Sequence, residues 1–223
     1  MEKKIYMTTK KINIAIYGTG GHAFVLLDTI LKCKEQYENN FNFVGFYDYA
    51  KPKGTTIKGY TILGSDKELL EDKNRVYDML YVGIGDNNVR KEIFTKVDIE
   101  EKLPNMLVHP TAVVSNTSKV HSSSFVGPQC IVGPNVEIGK GVIINSGAVI
   151  SHDNVINDFV HISPNATICG NSTIGEGTWV GAGAVVIQGI AVGKESIVGA
   201  NSTVLKDVPS YTTVVGVVKK DKK

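Results

Sequence analysis

A small Rossmann-like parallel α/β domain followed by a parallel β-helix is the architecture that these 223 residues imply. Three observations carry it. Segments of strand and helix character alternate through the first part of the chain, the grammar of a parallel sheet covered by helices. From Val108 to Val204 every sixth residue is Val or Ile without a slip. A glycine directly follows many of these, as at Gly127, Gly133, Gly139, Gly175, Gly181, Gly193 and Gly199.

The first element is "INIAIYG", a short apolar run closed by Gly18, which reads as a strand. "GHAFVLLDTILKCKEQY" follows with helical spacing at Phe24, Leu27, Ile30 and Leu31. Next come "FNFVGFYD" as a strand and "SDKELLEDK" as a short helix opened by a Ser/Asp cap. "DMLYVGIG" reads as another strand and "NNVRKEIFTKV" as a helix. At "EKLPN" the grammar changes, which sets the domains at 1–104 and 105–223.

A period of six fits neither a helix nor an alternating strand; it is the hexapeptide signature of a parallel β-helix. Each hexapeptide supplies a short strand and a corner, with the aliphatic side chain pointing inward. The slot four residues later is small or β-branched, as at Ser118, Ser124, Val136, Ala148, Val160, Ala166, Thr178 and Ala184. Small residues there keep the axis uncrowded, and the glycines after the aliphatic residues are expected to relax the backbone at the corners. Cys130 falls in an inward slot and reads as core.

The bulk numbers narrow the class of function. Apolar residues are 42%, charged residues 21% and the net charge +2, too weak to argue for nucleic acid. The basic tail "KKDKK" reads as a solvated terminus. Three cysteines without metal spacing imply free thiols in a reducing compartment. No apolar run is long enough to span a bilayer, and "MEKKIYMTTKK" lacks a signal-peptide core, so a cytoplasmic protein without a membrane partner is expected.

Chemistry concentrates in "GAVISHDNVINDFVHIS", which holds His152 and His161 among Val, Ile, Gly, Ser and Asn. Because Ile150 points inward, Ser151, His152 and Asp153 fall at a corner and point out. An adjacent carboxylate favours imidazolium and raises basicity. His161 lies nine residues on, half a coil away, where a neighbouring subunit could bring it close. Asn145 lies seven residues before His152, and at Asn154 the small-residue preference of the fourth slot is relaxed.

On these residues, "INSGAVISHDNVINDFVHISPNATICGN" resembles the core of the hexapeptide-repeat nucleotide-sugar acetyltransferases of the sialic-acid O-acetyltransferase-like family. The likeness extends over nearly the whole chain, since that family also carries an N-terminal α/β domain with a "G-x-G-H" loop. The resemblance implies a left-handed, three-sided β-helix and a homotrimer with active sites between subunits. It implies acetyl-CoA as co-substrate, no metal, and the amino group of a UDP- or dTDP-linked 4-amino sugar as acceptor. His152 would be the general base and Asp153 its polarising partner. His161 and Gly170 would line the coenzyme cleft, and Asn145 would lie beside the sugar. Where several relatives have Glu, this chain has the shorter Asp153. In place of the "G-x-P-A-K" end of many hexapeptide transferases stands "VVGVVKKDKK", with Gly216 but no Pro-Ala.

In the first domain "IYGTGGHAF" ends a strand and opens a helix, where backbone N–H groups and the helix dipole favour anions. Gly18, Gly20 and Ala23 fit a loose G-x-G-x-x-A. Asp48 comes thirty residues after Gly18, too far for the ribose acid of a dinucleotide fold. The resemblance gives Gly20, Gly21, His22 and Asp48 to the sugar nucleotide, with Tyr49 where many relatives have a second acid. Asp86, Asn87 and Arg90 in "GIGDNNVR" form a second polar loop.

Rival readings are a γ-type carbonic anhydrase, a uridylyltransferase, a non-catalytic β-helix scaffold and an O-acetyltransferase acting on sialic acid. The first needs a zinc-binding histidine triad, and His121, His152 and His161 lack its spacing. The second needs a much larger N-terminal domain. A scaffold leaves His152, Asp153 and Asn145 unexplained as a set. The O-acetyltransferase shares the fold and the base, and differs only in the acceptor.

Overall fold

The computed structural model describes residues 11–37, 40–71, 75–97 and 106–219. The boundary stretch "EKLPN", residues 1–10 and the last four residues of the basic tail lie outside them. The chain divides into two compact units, 1–110 and 111–223.

The first unit runs β1 (Ile12–Tyr17), α1 (Gly21–Tyr37), β2 (Phe41–Tyr47), β3 (Thr56–Ile57), β4 (Tyr60–Gly64), α2 (Asp66–Glu71), β5 (Met79–Val82) and α3 (Asn87–Val97). The sheet order is β3-β4-β2-β1-β5. β1 is parallel to β2 and β5, and β2 to β4, while β3 joins antiparallel. All four residues of β5 and the last four of β1 are buried, as a strand covered on both faces requires. The stripe of α1 that packs down is Ala23, Leu26, Leu27, Ile30 and Cys33. Leu31, expected on that face, is 41% exposed: it lies one residue beyond Ile30 and so turns away. Phe24 sits at the margin, edge-on to Phe46 at 5.5 Å.

Two local features escaped the sequence reading. Lys58 and Gly59 both have positive φ, the conformation of the tight turn that joins two antiparallel strands. Opposite Ile14 and Ala15 of β1, β2 carries one extra residue between Phe43 and Gly45, and Gly45 takes φ 147°. A Cβ on Gly45 would stand 2.4 Å from the Thr61 carbonyl oxygen, so only glycine lets β4 approach. The short helix α2 opens with a capping box: Ser65 N–H donates to Glu68 Oε2 at 2.9 Å, and the Ser65 hydroxyl donates to the same oxygen.

The second unit is a left-handed parallel β-helix. Its strands are two residues long, one side chain out and one in, as in Val149–Ile150 and His161–Ile162. As far as Thr203–Val204, partner strands are eighteen residues apart, for example Ile131↔Val149 and His161↔Trp179, so three hexapeptides close one coil. Three parallel sheets result. One carries Phe125, Ile143, His161, Trp179 and Ile197 outward, the next Ile131, Val149, Thr167 and Val185, the third Glu137, Val155 and Thr173.

The sixth-residue aliphatic side chains form the core; from Val126 to Val204 none exceeds 4% exposure. Burying each contributes roughly 1.5–3 kcal/mol. The fourth-slot residues are inward as well, and their polar atoms are used. Ser124 Oγ accepts from Val142 N–H at 2.9 Å, and Asn154 Oδ1 accepts from Ser172 N–H at 2.8 Å. Buried polar side chains in these slots thus bind coil to coil. Burial raises the Cys130 thiol to about 11 and the Cys33 thiol to about 12, which marks both as inert core groups.

The glycines after the aliphatic residues do something other than relax corners. None of Gly127, Gly133, Gly139, Gly175, Gly181, Gly193 and Gly199 has positive φ. A Cβ on Gly133 would meet Ser151 backbone at 2.9 Å, and one on Gly175 would meet Lys194 N at 2.4 Å. They admit the neighbouring coil. Positive φ falls two residues later, at Gln129, Asn135, Gly141, Gly147, Asp153, Phe159, Asn165 and Asn171. Asn, Asp and Gly, which tolerate this region best, dominate that slot.

Candidate active site

Asp153 occupies one of these left-handed corners, at φ 57°. Its carboxylate is held from both sides: His152 Nδ1 lies 2.7 Å from Oδ2, and Asn135 Nδ2 donates to Oδ1 at 3.0 Å. These bonds, the histidine's first and the asparagine's second, hold the Asp153 carboxyl below the usual range. An ionised carboxylate only accepts, so His152 donates from Nδ1, which leaves Nε2 as the ring nitrogen outside this bond. Gly170, one coil on, is buried beneath the ring. A Cβ there would stand 2.4 Å from His152 Cε1 and 2.6 Å from Nε2. The imidazole therefore packs against a glycine while the side chain stays largely exposed. Behind the corner, Asn154 is buried and bonded to the next coil.

His161 sits in a different environment. It is 7% exposed and stacks on Trp179, with ring centroids 5.4 Å apart and planes 9° from parallel. Asn145 Nδ2 lies 3.2 Å from His161 Nε2, while Asn145 Oδ1 accepts from Ser146 N–H at 2.8 Å. With its oxygen spent on that N–H, Asn145 presents its amide N–H₂ to the ring. His161 Nε2 is then the acceptor, and the imidazole is neutral with its proton on Nδ1. Trp179 is pinned in turn, its indole N–H donating to Ser163 Oγ at 2.7 Å.

The expected β-helix residues thus separate into two groups. His152, Asp153 and Gly170 share the corner between the Val149 and Val155 sheets, whereas Asn145 and His161 belong to the sheet of Ile143 and its edge. In a three-sided column that corner is the vertex opposite the His161 sheet. One chain therefore does not bring the two histidines together. Asn135, Ser163 and Trp179 were passed over in the sequence, although each lies eighteen residues from a partner in these groups or from its neighbour. Among the described residues, no group of three or more His, Cys, Asp or Glu is arranged to hold a metal ion. Likewise, no described helix is long and apolar enough to cross a membrane.

In the first unit the loop after β1 meets the point where chain order reverses across the sheet, with β2 on one side of β1 and β5 on the other. Gly18 has φ 96°, and a Cβ there would hit Ile84 Cδ1 at 2.7 Å, so its glycine is structural. Gly20 and Gly21 differ: nothing lies within 4 Å of a Cβ on either, and neither has positive φ. His22 is half-buried in the first turn of α1. Asp48 is 7% exposed, its oxygens accepting from the Thr19 hydroxyl and from Ala50 N–H at 2.9 Å. It ties the glycine loop to the end of β2, and beside it Tyr49 is 76% exposed. Asp86 caps α3 by accepting from Asn88 and Val89 N–H, and buried Arg90 donates to the Ile84 and Gly85 carbonyls. Those two hold the second loop in shape.

The first unit matches the PglD N-terminal domain family over residues 13–97. The second matches the bacterial transferase hexapeptide (six repeats) family over residues 117–152 and 171–206. No curated protein sequence matches the chain. Among solved structures, PerB from Caulobacter crescentus, in complex with CoA and GDP-perosamine, is 30% identical, with 95% of this chain and 97% of that one covered and a TM-score of 0.84. The acetyltransferase domain of PglB from Neisseria gonorrhoeae FA1090, in complex with acetyl coenzyme A, is 27% identical, with 95% and 99% covered and a TM-score of 0.83. WeeI from Acinetobacter baumannii AYE is 26% identical, with 91% and 96% covered and a TM-score of 0.79.

Proposed function

The chain belongs to the hexapeptide-repeat nucleotide-sugar acetyltransferases, and from that premise we propose that it moves the acetyl group of acetyl-CoA to the amine of a nucleotide-linked 4-amino sugar, with His152 as general base. One observation carries the assignment of the base: an exposed imidazole whose Nδ1 is engaged by a carboxylate at 2.7 Å and whose Nε2, outside that bond, lies over Gly170. A sugar amine is largely ammonium at neutral pH, and it attacks as the neutral amine once that first proton has gone to solvent. As its nitrogen bonds to the thioester carbon, Nε2 takes the proton the nitrogen sheds. The C–S bond then breaks, and the departing thiolate recovers a proton from the imidazolium. A positioned base of this kind contributes roughly 10²- to 10⁴-fold. A backbone N–H of a neighbouring coil would serve the thioester oxygen.

The coenzyme and the sugar approach from elsewhere. His161 with Trp179 offers a neutral ring and an apolar wall for the coenzyme arm, with Gly170 beside the thioester. Asn145 offers an amide to the sugar. Gly20 and Gly21, open at the head of α1, suit the close approach of a diphosphate to backbone N–H groups. Asp48, held by Thr19 and Ala50, shapes that loop, and His22 flanks it. The carrier nucleotide is UDP, dTDP or the GDP of the Caulobacter relative.

A homotrimer follows from the same reading. His152 and His161 lie on opposite sides of one column, so a cleft using both takes them from two chains. Partly exposed apolar residues on two sheets, Ile131 and Val149 on one and Trp179 and Ile197 on the other, suit such self-association. The test is thiol release from acetyl-CoA with GDP-, UDP- and dTDP-4-amino-4,6-dideoxy sugars, and with sialic acid. Turnover with one of the sugar nucleotides is expected. Turnover with sialic acid alone would make the enzyme an O-acetyltransferase, and no release with any of them would end the proposal.

A further inference from the structure

We infer that Asn135 is a positioning residue for this acetyl transfer, acting through Asp153 on His152; the inference rests on His152 being the base. The side chains of His152 and Asp153 are 59% and 49% exposed, so little packing holds either one. A carboxylate in water that has one hydrogen bond can rotate about its Cα–Cβ bond and leave the imidazole unsupported. Asn135 removes that freedom. It sits eighteen residues before Asp153, in the same left-handed slot of the preceding coil, at φ 59°. Its backbone N–H is itself bound by Thr117 Oγ1 at 3.1 Å, one coil earlier again. From that anchored backbone its amide donates to Asp153 Oδ1 at 3.0 Å, which leaves Oδ2 directed at His152 Nδ1.

The asparagine is not explained by its corner alone. Elsewhere the same slot holds Gln129, Phe159, Glu195 or glycine, so the backbone does not demand Asn. Asn165 and Asn201 occupy it too, but there the amide oxygen fills the space over Gly147 and Gly183, 2.3 Å from where a Cβ would be. Asn135 instead spends its N–H₂ on a charged acceptor, the arrangement that turns an exposed pair into an oriented one.

Two glycine substitutions test this without disturbing the backbone, because glycine takes positive φ freely. Asn135→Gly is expected to lower kcat about tenfold, the size of an orienting bond to a charged group, with KM for both substrates unchanged. In an Asp153→Gly background the same substitution should cost nothing further, since the group it orients is gone. An unchanged kcat in Asn135→Gly, or the same factor lost in both backgrounds, would overturn the role of Asn135. His152→Ala is measured alongside. If that variant keeps wild-type turnover, the base itself is misassigned and the inference falls with it.

Discussion

His152 and His161 are nine residues apart in the chain and opposite in every physical respect. The first lies on a corner, open to solvent, its orientation supplied by hydrogen bonds and a glycine floor. The second lies on a sheet, buried, held by an amide and an indole. A base must reach its proton, so it belongs at an exposed edge with a carboxylate behind it. A wall of a coenzyme channel must be neutral and shaped, so it belongs in a packed stack. On the proposed function, one rigid column sorts a single residue type into two roles by where the coil puts it.

Removing each ring should break the symmetry of these names in opposite ways. His152→Ala is expected to lower kcat by about 10²- to 10⁴-fold while thermal unfolding stays where it was, because the side chain is mostly in water. Equal activity would contradict the base assignment. Gly170→Ala comes next in size. Its backbone accepts alanine, yet the new Cβ needs the space of His152 Cε1. Displacing a base by about an ångström costs up to about 10²-fold, so kcat should fall with little change in stability. Trp179→Ala should act on the other histidine: the stack and the Ser163 bond are lost, stability drops by about 1 kcal/mol, and KM for acetyl-CoA rises. A kcat effect with no KM effect would place Trp179 on the wrong side of the comparison.

The smallest effect is electrostatic. The Asp153 carboxyl is depressed by His152 and Asn135, and the Glu68 carboxyl is lowered to about 2 by its bonds to Ser65. A carboxyl with a depressed folded value contributes stability above its unfolded value and loses it as pH falls through the folded one. Both groups are solvated, so the loss between about pH 4 and 2 should be slight. Glu68→Gln should remove its share of that acid slope without changing kcat, whereas Asp153→Asn should change kcat.

Much of this was legible in the sequence. Every long element of the first unit and every aliphatic position of the coils followed from periodicity, because burial sets those residues directly. The β3–β4 hairpin was missed because β3 has only two residues and its turn is made by Lys58 and Gly59, not by a familiar turn pair. The left-handed slot was missed because Gln129, Phe159 and Glu195 dilute its Asn, Asp and Gly character. Asn135 and Trp179 were missed for a correctable reason. The period of six finds the core, but the period of eighteen finds neighbours, and adding or subtracting eighteen from Asp153 and His161 names both. The burial of His161 had no signal in the chain, since it depends on the Trp179 ring one coil on.

The central claim is that His152 of one subunit and His161 of another serve the same thioester. The direct test is to co-express His152→Ala with His161→Ala, each shown alone to be impaired, and to assay the mixed oligomer. If the cleft draws on two chains, some clefts regain both rings, and random mixing restores roughly a quarter of wild-type turnover. If both histidines act within one chain, every site in the mixture still lacks a ring, and activity stays at the level of the separate variants.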